Sequence, residues 1–380
     1  MLWALIVAGL LLAVFSMRGE RSRARYYSAH LAALGRQTRL PRATVIVPVK
    51  GPEEGLEQNL AALASLDYPD YELIVVANLV EDIPRGVVPE HARVVLARGR
   101  GGGGSEKIRN LLAAVKAARP TSAIFAFADS DGRPGRLWLR SLVEVLQDER
   151  TGAATGYRWH VPERGGLWAI LRSVWNAVIA GRFGPGPLRF AWGGAMAIRR
   201  EVFVRTRVAD FWKDAVSDDY RLSDAVLKAG LQIRFAPAAI VADTGGTGCR
   251  EFCEWTRRQM LLTRFHRPAV WWMALISHLV YCGAAAVCLI EMARGQLAAA
   301  GALVILWGLG MWKGARRAAL ARSVLKGYEG WFRRYGWVHT WLPPLTTWVW
   351  LGSLLSSAFG RIIHWRERSY RLTQRRAARA

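Results

Sequence analysis

Four long apolar runs stand out along the chain, and between the first and second the pattern changes to short β-rich segments alternating with helical ones. The first run, MLWALIVAGLLLAVFSM (1–17), carries no charge and is followed at once by RGERSRARYY. A bilayer core needs roughly 20 apolar residues, or about 17 at the short end, so this run fits an N-terminal transmembrane anchor. A cleaved signal peptide fits less well, because positive charge follows the run instead of preceding it and no clear small-x-small site is present. The arginines of the basic juxtamembrane linker, 18–40, hold the next domain on the cytoplasmic side under the positive-inside rule. The later runs, 268–292, 296–313 and 339–360, have tryptophans clustered at their ends, where an amphipathic ring suits headgroup depth. This is the pattern of an integral membrane protein. One anchor and three full spans would leave the basic tail, 361–380, outside, against the same rule. The run containing Pro343-Pro344, which follows a basic amphipathic loop at 314–338, is therefore expected to be re-entrant or interfacial.

The middle region, 41–267, reads as one α/β domain. Strands are expected at TVIVPV (44–49), YELIVVAN (71–78), ARVVLA (92–97) and AIFAFAD (123–129). Helices are expected at GLEQNLAALASL and at SEKIRNLLAAVKAA (105–118), where Ser105 can cap the first turn. Such alternation implies βαβ units and a mostly parallel sheet. Ligands of such sheets bind beyond the carboxyl ends of the strands. The glycine tract RGRGGGGS (98–105) lacks the GKS or GKT of a phosphate-binding loop and reads as a flexible loop. GLWAILRSVWNAVIAGRF (166–183) has helical periodicity and large aromatics, suited either to core packing or to an interfacial helix that guides an acceptor.

The formal net charge of +24 then has an ordinary source. Basic residues lie beside the apolar runs, from Arg316 to Arg334 and through the tail, where they would meet anionic lipid headgroups. Nucleic-acid binding is the competing reading of so basic a chain. The charges track membrane boundaries and no nucleic-acid motif accompanies them, so no such partner is expected. Of the four cysteines, Cys282 and Cys288 lie in an apolar run, and Cys249-x3-Cys253 has no second ligand pair to make a zinc site.

The candidate chemistry lies at the ends of the predicted strands. FAFADSDG ends an apolar run in Asp129 and Asp131, a pair of hard oxygen donors suited to Mg2+ or Mn2+ and, through the cation, to a diphosphate. The same spacing also occurs in ordinary turns. Asp218 and Asp219 open the helix of AVSDDYRLSDAVLKAG; one acid suffices as a cap, which leaves the other for general base work. RFAWGGAMAIRREVF sets paired glycines in an apolar strand, where backbone can approach a ligand closely. EFCEWTRRQMLLTRF brings Trp255, Arg257, Arg258, Gln259 and Arg264 just ahead of the second apolar run, as phosphate-binding and stacking groups or as interfacial residues.

Together these residues resemble the family 2 inverting glycosyltransferases, most closely the membrane-bound ceramide glucosyltransferase group and its bacterial relatives that glycosylate sphingoid or hopanoid lipids. The resemblance covers most of the chain and is carried by VIVPVKG (45–51), LDYPDYELIVV (66–76), SEKIRNL (105–111), ADSDG (128–132), SDDY (217–220), residues 255–265 and the order of the membrane segments. It implies a GT-A fold, with a Rossmann-like, mostly parallel sheet between N- and C-terminal transmembrane helices. It also implies transfer of a sugar, glucose in the first instance, from a UDP-sugar to a lipid hydroxyl such as that of ceramide. The site would lie on the cytoplasmic face of a bacterial inner membrane. By the same resemblance Asp129, with Asp131, holds the diphosphate and a divalent cation, Mg2+ or Mn2+, and Asp219 is the catalytic base. Lys50, Lys107 and Arg258 fall on the donor side. Asp218, Trp255, Arg257, Gln259 and Arg264 fall on the acceptor or diphosphate side.

Two departures from the family pattern stand out. Its uridine-contacting acid after the second strand must here come from Asp82 or Glu81 of ANLVED (77–82). Its (Q/R)xxRW element is broken in RRQMLLTRF (257–265): Arg264-Phe265 can stand for its last two residues, but Gln259 lies two positions too early. A processive polysaccharide synthase would keep that element intact. A catalytically degenerate membrane scaffold would not keep Asp129, Asp131 and Asp219 together.

Overall fold

Apolar strands buried on both faces belong inside a sheet covered by helices on each side, and the computed structural model has that arrangement. It describes residues 2–36, 40–99, 104–365 and 368–372. Half of the glycine tract and half of the basic tail lie outside the described residues. The chain begins with α1 (Leu2–Phe15) and α2 (Glu20–Ala33), which fills much of the stretch expected as a linker. There follow β1 (Ala43–Pro48), α3 (Leu56–Ala64), β2 (Tyr71–Ala77), β3 (Arg93–Leu96), α4 (Glu106–Ala117) and β4 (Ile124–Ala128). The second half of the domain holds α5 (Trp138–Val145), β5 (Thr151–His160), α6 (Leu167–Ala180), β6 (Ala195–Arg199), α7 (Arg200–Arg205), α8 (Val208–Trp212), α9 (Asp218–Lys228) and β7 (Gln232–Asp243).

These strands form a sheet in the order β3-β2-β1-β4-β6-β5-β7. All neighbouring pairs are parallel except those of β6, which runs antiparallel to both β4 and β5. The sheet is thus mostly parallel, and the carboxyl ends of β4, β5 and β7 point to one edge. One face packs on α4 and α9 through Ile108, Leu111, Leu222 and Val226, and the other on α3 and α5 through Leu60, Leu63, Trp138 and Leu142.

After the domain come α10 (Cys249–His266), α11 (Pro268–Ala293), α12 (Leu297–Val324), α13 (Glu329–Tyr335), α14 (Val338–Trp341), α15 (Pro343–Ser357) and a hairpin of β8 (Ile362–Trp365) and β9 (Arg368–Arg371). Among the described residues three helical stretches are long and apolar enough to cross a membrane: Leu2–Ala33, Pro268–Ala293 and Leu297–Val324. α12 continues to Val324, so the stretch read as a basic loop from 314 is helical in its first part. Its alanines and arginines are good helix formers and nothing breaks the helix before Leu325. α15 has 15 residues; at 1.5 Å rise per residue it is about 22 Å long, short of a core of about 30 Å.

α6 lies between the sheet and these helices. Trp175 is fully buried and stacks on Trp350 of α15 with ring centroids 4.2 Å apart. Its core packing ties the membrane-side helices to the domain through aromatic surface.

Candidate active site

Asp129 and Asp131 follow β4, and neighbouring elements bring charge to them. Ser105 caps α4, its Oγ accepting from Ile108 N–H at 3.4 Å. The turn before it is docked on the loop that leads to α9, with Ser105 N–H donating to Ala215 O at 2.8 Å. Gly104 has φ of +90°, and a Cβ there would stand 2.7 Å from Ala215 O, so this approach requires glycine. Lys107, in the first turn of α4, is thereby set between the tip of β4 and the start of α9. Its ammonium lies 2.7 Å from Asp129 Oδ1 and 3.1 Å from Asp218 Oδ2.

Gly193 and Gly194 stand just before β6, not within it. A Cβ on Gly194 would come 2.6 Å from Asp129 Oδ2, and one on Gly193 2.8 Å from Asp218 Oδ2. The pair makes room for two carboxylates, not for a ligand alone.

The centre of the cluster is a residue that sequence reasoning did not select. Arg158 of β5 grips Asp131 in a two-pronged fork, Nη1 to Oδ2 at 2.9 Å and Nη2 to Oδ1 at 2.6 Å. Nη2 also donates to Asp129 Oδ2 at 3.2 Å and Nη1 to Asp243 Oδ2 at 2.8 Å. Asp243 ends β7, and its Oδ2 lies 3.1 Å from His160 Nδ1. Burial pushes the His160 imidazole down to about 4 despite Asp243, so at neutral pH the ring is uncharged. Burial alone would raise the Asp129 carboxyl, but Lys107 and Arg158 outweigh it and hold it below the usual range.

Asp218 and Asp219 sit at the positive end of α9 in different surroundings. Asp218 is buried, and burial pushes its carboxyl up to about 6 against Lys107, with Asp219 and Asp129 adding to the rise. Because the folded-state value exceeds the ordinary 3.8, the native protein holds an extra proton between the two values. This group therefore adds stability as pH falls from 6 toward 4 and costs it above 6. Asp218→Asn is expected to be more stable than wild type at pH 7.5, by on the order of 2 kcal/mol, and equal to it near pH 4. Melting in detergent at both pH values checks this; the same gap at both would exclude the shifted carboxyl as its source.

Asp219 is half-buried and faces the cavity. Its Oδ1 accepts from Ser217 Oγ and, at 2.6 Å, from Tyr220 N–H, and its Oδ2 accepts from Gly193 N–H at 3.3 Å. These donors fix its orientation.

α10 sorts the remaining candidates by helical period. Trp255, Arg258, Gln259 and Thr263 line the cavity on one face. Burial and the nearby Arg158 lower the Arg258 guanidinium's proton affinity, while Asp131 supports its charge. Arg257 and Arg264, seven residues apart, share another face. Arg257 donates to Ser356 O at 3.2 Å and Phe359 O at 3.3 Å, and Arg264 to Ser357 O and, at 2.7 Å, Gly360 O. The two tie α10 to the end of α15 and are not among the residues that line the cavity. Asp82 also lies outside it: its carboxylate closes its own turn by accepting from Leu79 N–H at 3.0 Å. Its carbonyl accepts from Gly51 N–H at 2.6 Å, which holds the loop after β2 against the loop after β1. Lys50 lines the cavity, 2.7 Å from Glu106 Oε1.

The cavity has a volume of about 1150 Å³ and is continuous from Asp129, Asp131 and Asp219 to the apolar helices. At that far end it is lined by Leu12 and Phe15 of α1, Met273, Ala274 and His278 of α11, and Lys313 of α12. The hard oxygens of Asp129 and Asp131 suit a divalent cation in kind, but their positions do not fit one as they stand. The Arg158 guanidinium lies between them, and among the described residues no group of three or more histidine, cysteine, aspartate or glutamate side chains is arranged to hold a metal ion.

A mostly parallel sheet whose strands end in clustered aspartates, beneath membrane-type helices, defines a GT-A glycosyltransferase. The glycosyl transferase family 21 model matches residues 1–378, and the chain belongs to that family. The motifs had pointed to the family 2 transferases and most closely to the ceramide glucosyltransferase group; the family that matches is 21, the ceramide glucosyltransferase family. The protein is thus an enzyme that transfers a sugar from a nucleotide sugar. Among solved structures, the chain is similar to the mannosyltransferase PcManGT from Pyrobaculum calidifontis, in complex with GDP-Man and Mn2+, at 19% identity over 90% of this chain and 98% of that one, TM-score 0.45. Glucosyl-3-phosphoglycerate synthase from Mycobacterium tuberculosis, in complex with phosphoglyceric acid, is 19% identical over 62% and 82% of the two chains, TM-score 0.40. GalNAc-T7 with UDP, GalNAc and Mn2+ is 12% identical over 64% and 51%, TM-score 0.43. No curated protein sequence matched the chain.

Proposed function

We propose that this protein is an inverting transferase that moves a sugar, glucose in the first instance, from a UDP-sugar to the hydroxyl of a ceramide-like membrane lipid at the cytoplasmic face of the membrane. The observation that carries this reading is the continuity of the cavity, from charged groups at the sheet edge to the apolar faces of α1 and α11. A soluble acceptor has no need of the second half of that space. A lipid does, because its chains stay among apolar side chains while its hydroxyl reaches the donor.

The donor lies at the Asp129 end, with Lys107, Lys50 and Arg258 around its diphosphate. Asp219 accepts the proton of the acceptor hydroxyl as the new bond to the anomeric carbon forms. The old bond breaks with its electron pair going to the leaving UDP, whose growing charge the buried cations stabilise. Trp255, held edge-on to His160 and Trp175, offers a ring face near the sugar. The basic residues of 314–338 meet anionic headgroups and keep the domain on the cytoplasmic side.

Ala274→Trp fills the membrane half of the cavity without touching the carboxylates. It is expected to lower transfer from UDP-glucose to short-chain ceramide in detergent by about tenfold or more, with UDP binding unchanged. Undiminished transfer to ceramide would remove the cavity as the lipid's route.

A further inference from the structure

Arg158 is a fixed part of the fold. It lies on β5 between β6 and β7, its carbonyl accepts from Asn176 Nδ2 at 2.9 Å, and its guanidinium carbon stands 5.0 Å from the centre of the Trp192 ring. Its four terminal N–H groups are matched by four bonds to three aspartates, Asp129 and Asp131 in the loop after β4 and Asp243 at the end of β7. The side chain is 13% exposed. A guanidinium is charged at all accessible pH values and its fork matches carboxylate geometry. A divalent cation held by the same carboxylates would need oxygens about 2.0–2.6 Å from its centre, which is the place where the guanidinium stands.

We propose that Arg158 is the resident cation of this site. It takes the position between Asp129 and Asp131 that a divalent ion would otherwise hold, it positions the three carboxylates, and it lets donor binding and sugar transfer proceed without added metal. The proposal rests on reading the Asp129 end of the cavity as the donor end. The charge of Arg258 stands beside that of Arg158, so the diphosphate meets Arg258 and Lys107 without a bridging ion. Arg158 acts as a positioning residue in this scheme, through the carboxylates it holds.

The test uses the full chain in detergent, with Mn2+ as the probe read by electron paramagnetic resonance and with no sugar or lipid present. Wild type is expected to bind Mn2+ weakly, and Arg158→Gln to bind it at least about tenfold more tightly, because the neutral amide uncovers three carboxylates. Arg158→Lys keeps a positive charge and should stay as weak as wild type. Wild type binding Mn2+ as tightly as Arg158→Gln overturns the proposal. Should Arg158→Gln fail to fold, wild-type cleavage of UDP-glucose, scored as released UDP, decides it. Full rate in excess EDTA supports a resident guanidinium, and loss of rate restored by Mn2+ overturns it. Neither readout needs a lipid acceptor, so a wrong acceptor assignment would show itself separately, as cleavage without lipid product.

Discussion

Asp219→Asn is expected to fold as wild type and to lose sugar transfer by about 10²–10⁴-fold in kcat, the usual worth of a positioned general base. Structure favours a clean separation of the two effects. Asp219 makes no ion pair in the described cluster; its bonds come from Ser217 Oγ and the N–H groups of Tyr220 and Gly193. Asparagine can keep the Tyr220 bond through its carbonyl and forfeits the one from Gly193, which costs about 1 kcal/mol. The donor's KM should hardly move, since Asp129, Lys107 and Arg258 keep their places. The neighbouring acid is the internal control. Asp218 is buried, paired with Lys107 and raised toward 6, so its replacement changes pH dependence more than the proton-transfer step. Equal kcat for wild type and Asp219→Asn would remove Asp219 from the base role. A large kcat loss confined to Asp218→Asn would move that role by one residue.

Asp129 and Asp131 were legible because they follow an apolar strand, and Asp218 and Asp219 because they open a helix. FAFAD announces Asp129, and the same signal ends QIRFAPAAIVAD in Asp243, which reading along the chain passed over because no second acid follows it. Arg158 gave a weaker signal, one charged residue in TGYRWH on a strand otherwise buried. Its importance depends on β5 lying next to β7, a pairing set by long-range sheet order that no local pattern encodes. α10 shows the opposite case. Arg257, Arg258 and Arg264 were all read as reaching the donor, the acceptor or the diphosphate, yet the helical period sets Arg258 toward the cavity and sends Arg257 and Arg264 to the carbonyls of 356–360. The first four strands and the one at β6 were readable from their apolar runs, whereas β5, β7 and the β8–β9 hairpin were not read; the hairpin's sequence is basic and lacks an apolar alternation.

Lys107→Met is expected to destabilise the fold by about 3–5 kcal/mol at pH 7.5, since it strips the shared cation from two partly or fully buried carboxylates. Methionine fills nearly the same volume, so the loss is electrostatic. The cost should shrink as pH falls, because Asp218 takes up a proton below about 6 and a neutral acid no longer needs the ammonium. It should also shrink in the double variant Lys107→Met with Asp218→Asn, which has one fewer buried charge to strand. A double-mutant cycle in detergent, followed by thermal melting, separates this coupling from simple packing loss. Additive effects of the two substitutions at pH 7.5 would mean that Lys107 and Asp218 do not stabilise each other. The docking of Gly104 against Ala215 would then be the force that joins α4 to α9, and the position of the donor-side lysine would follow from backbone shape, not from charge.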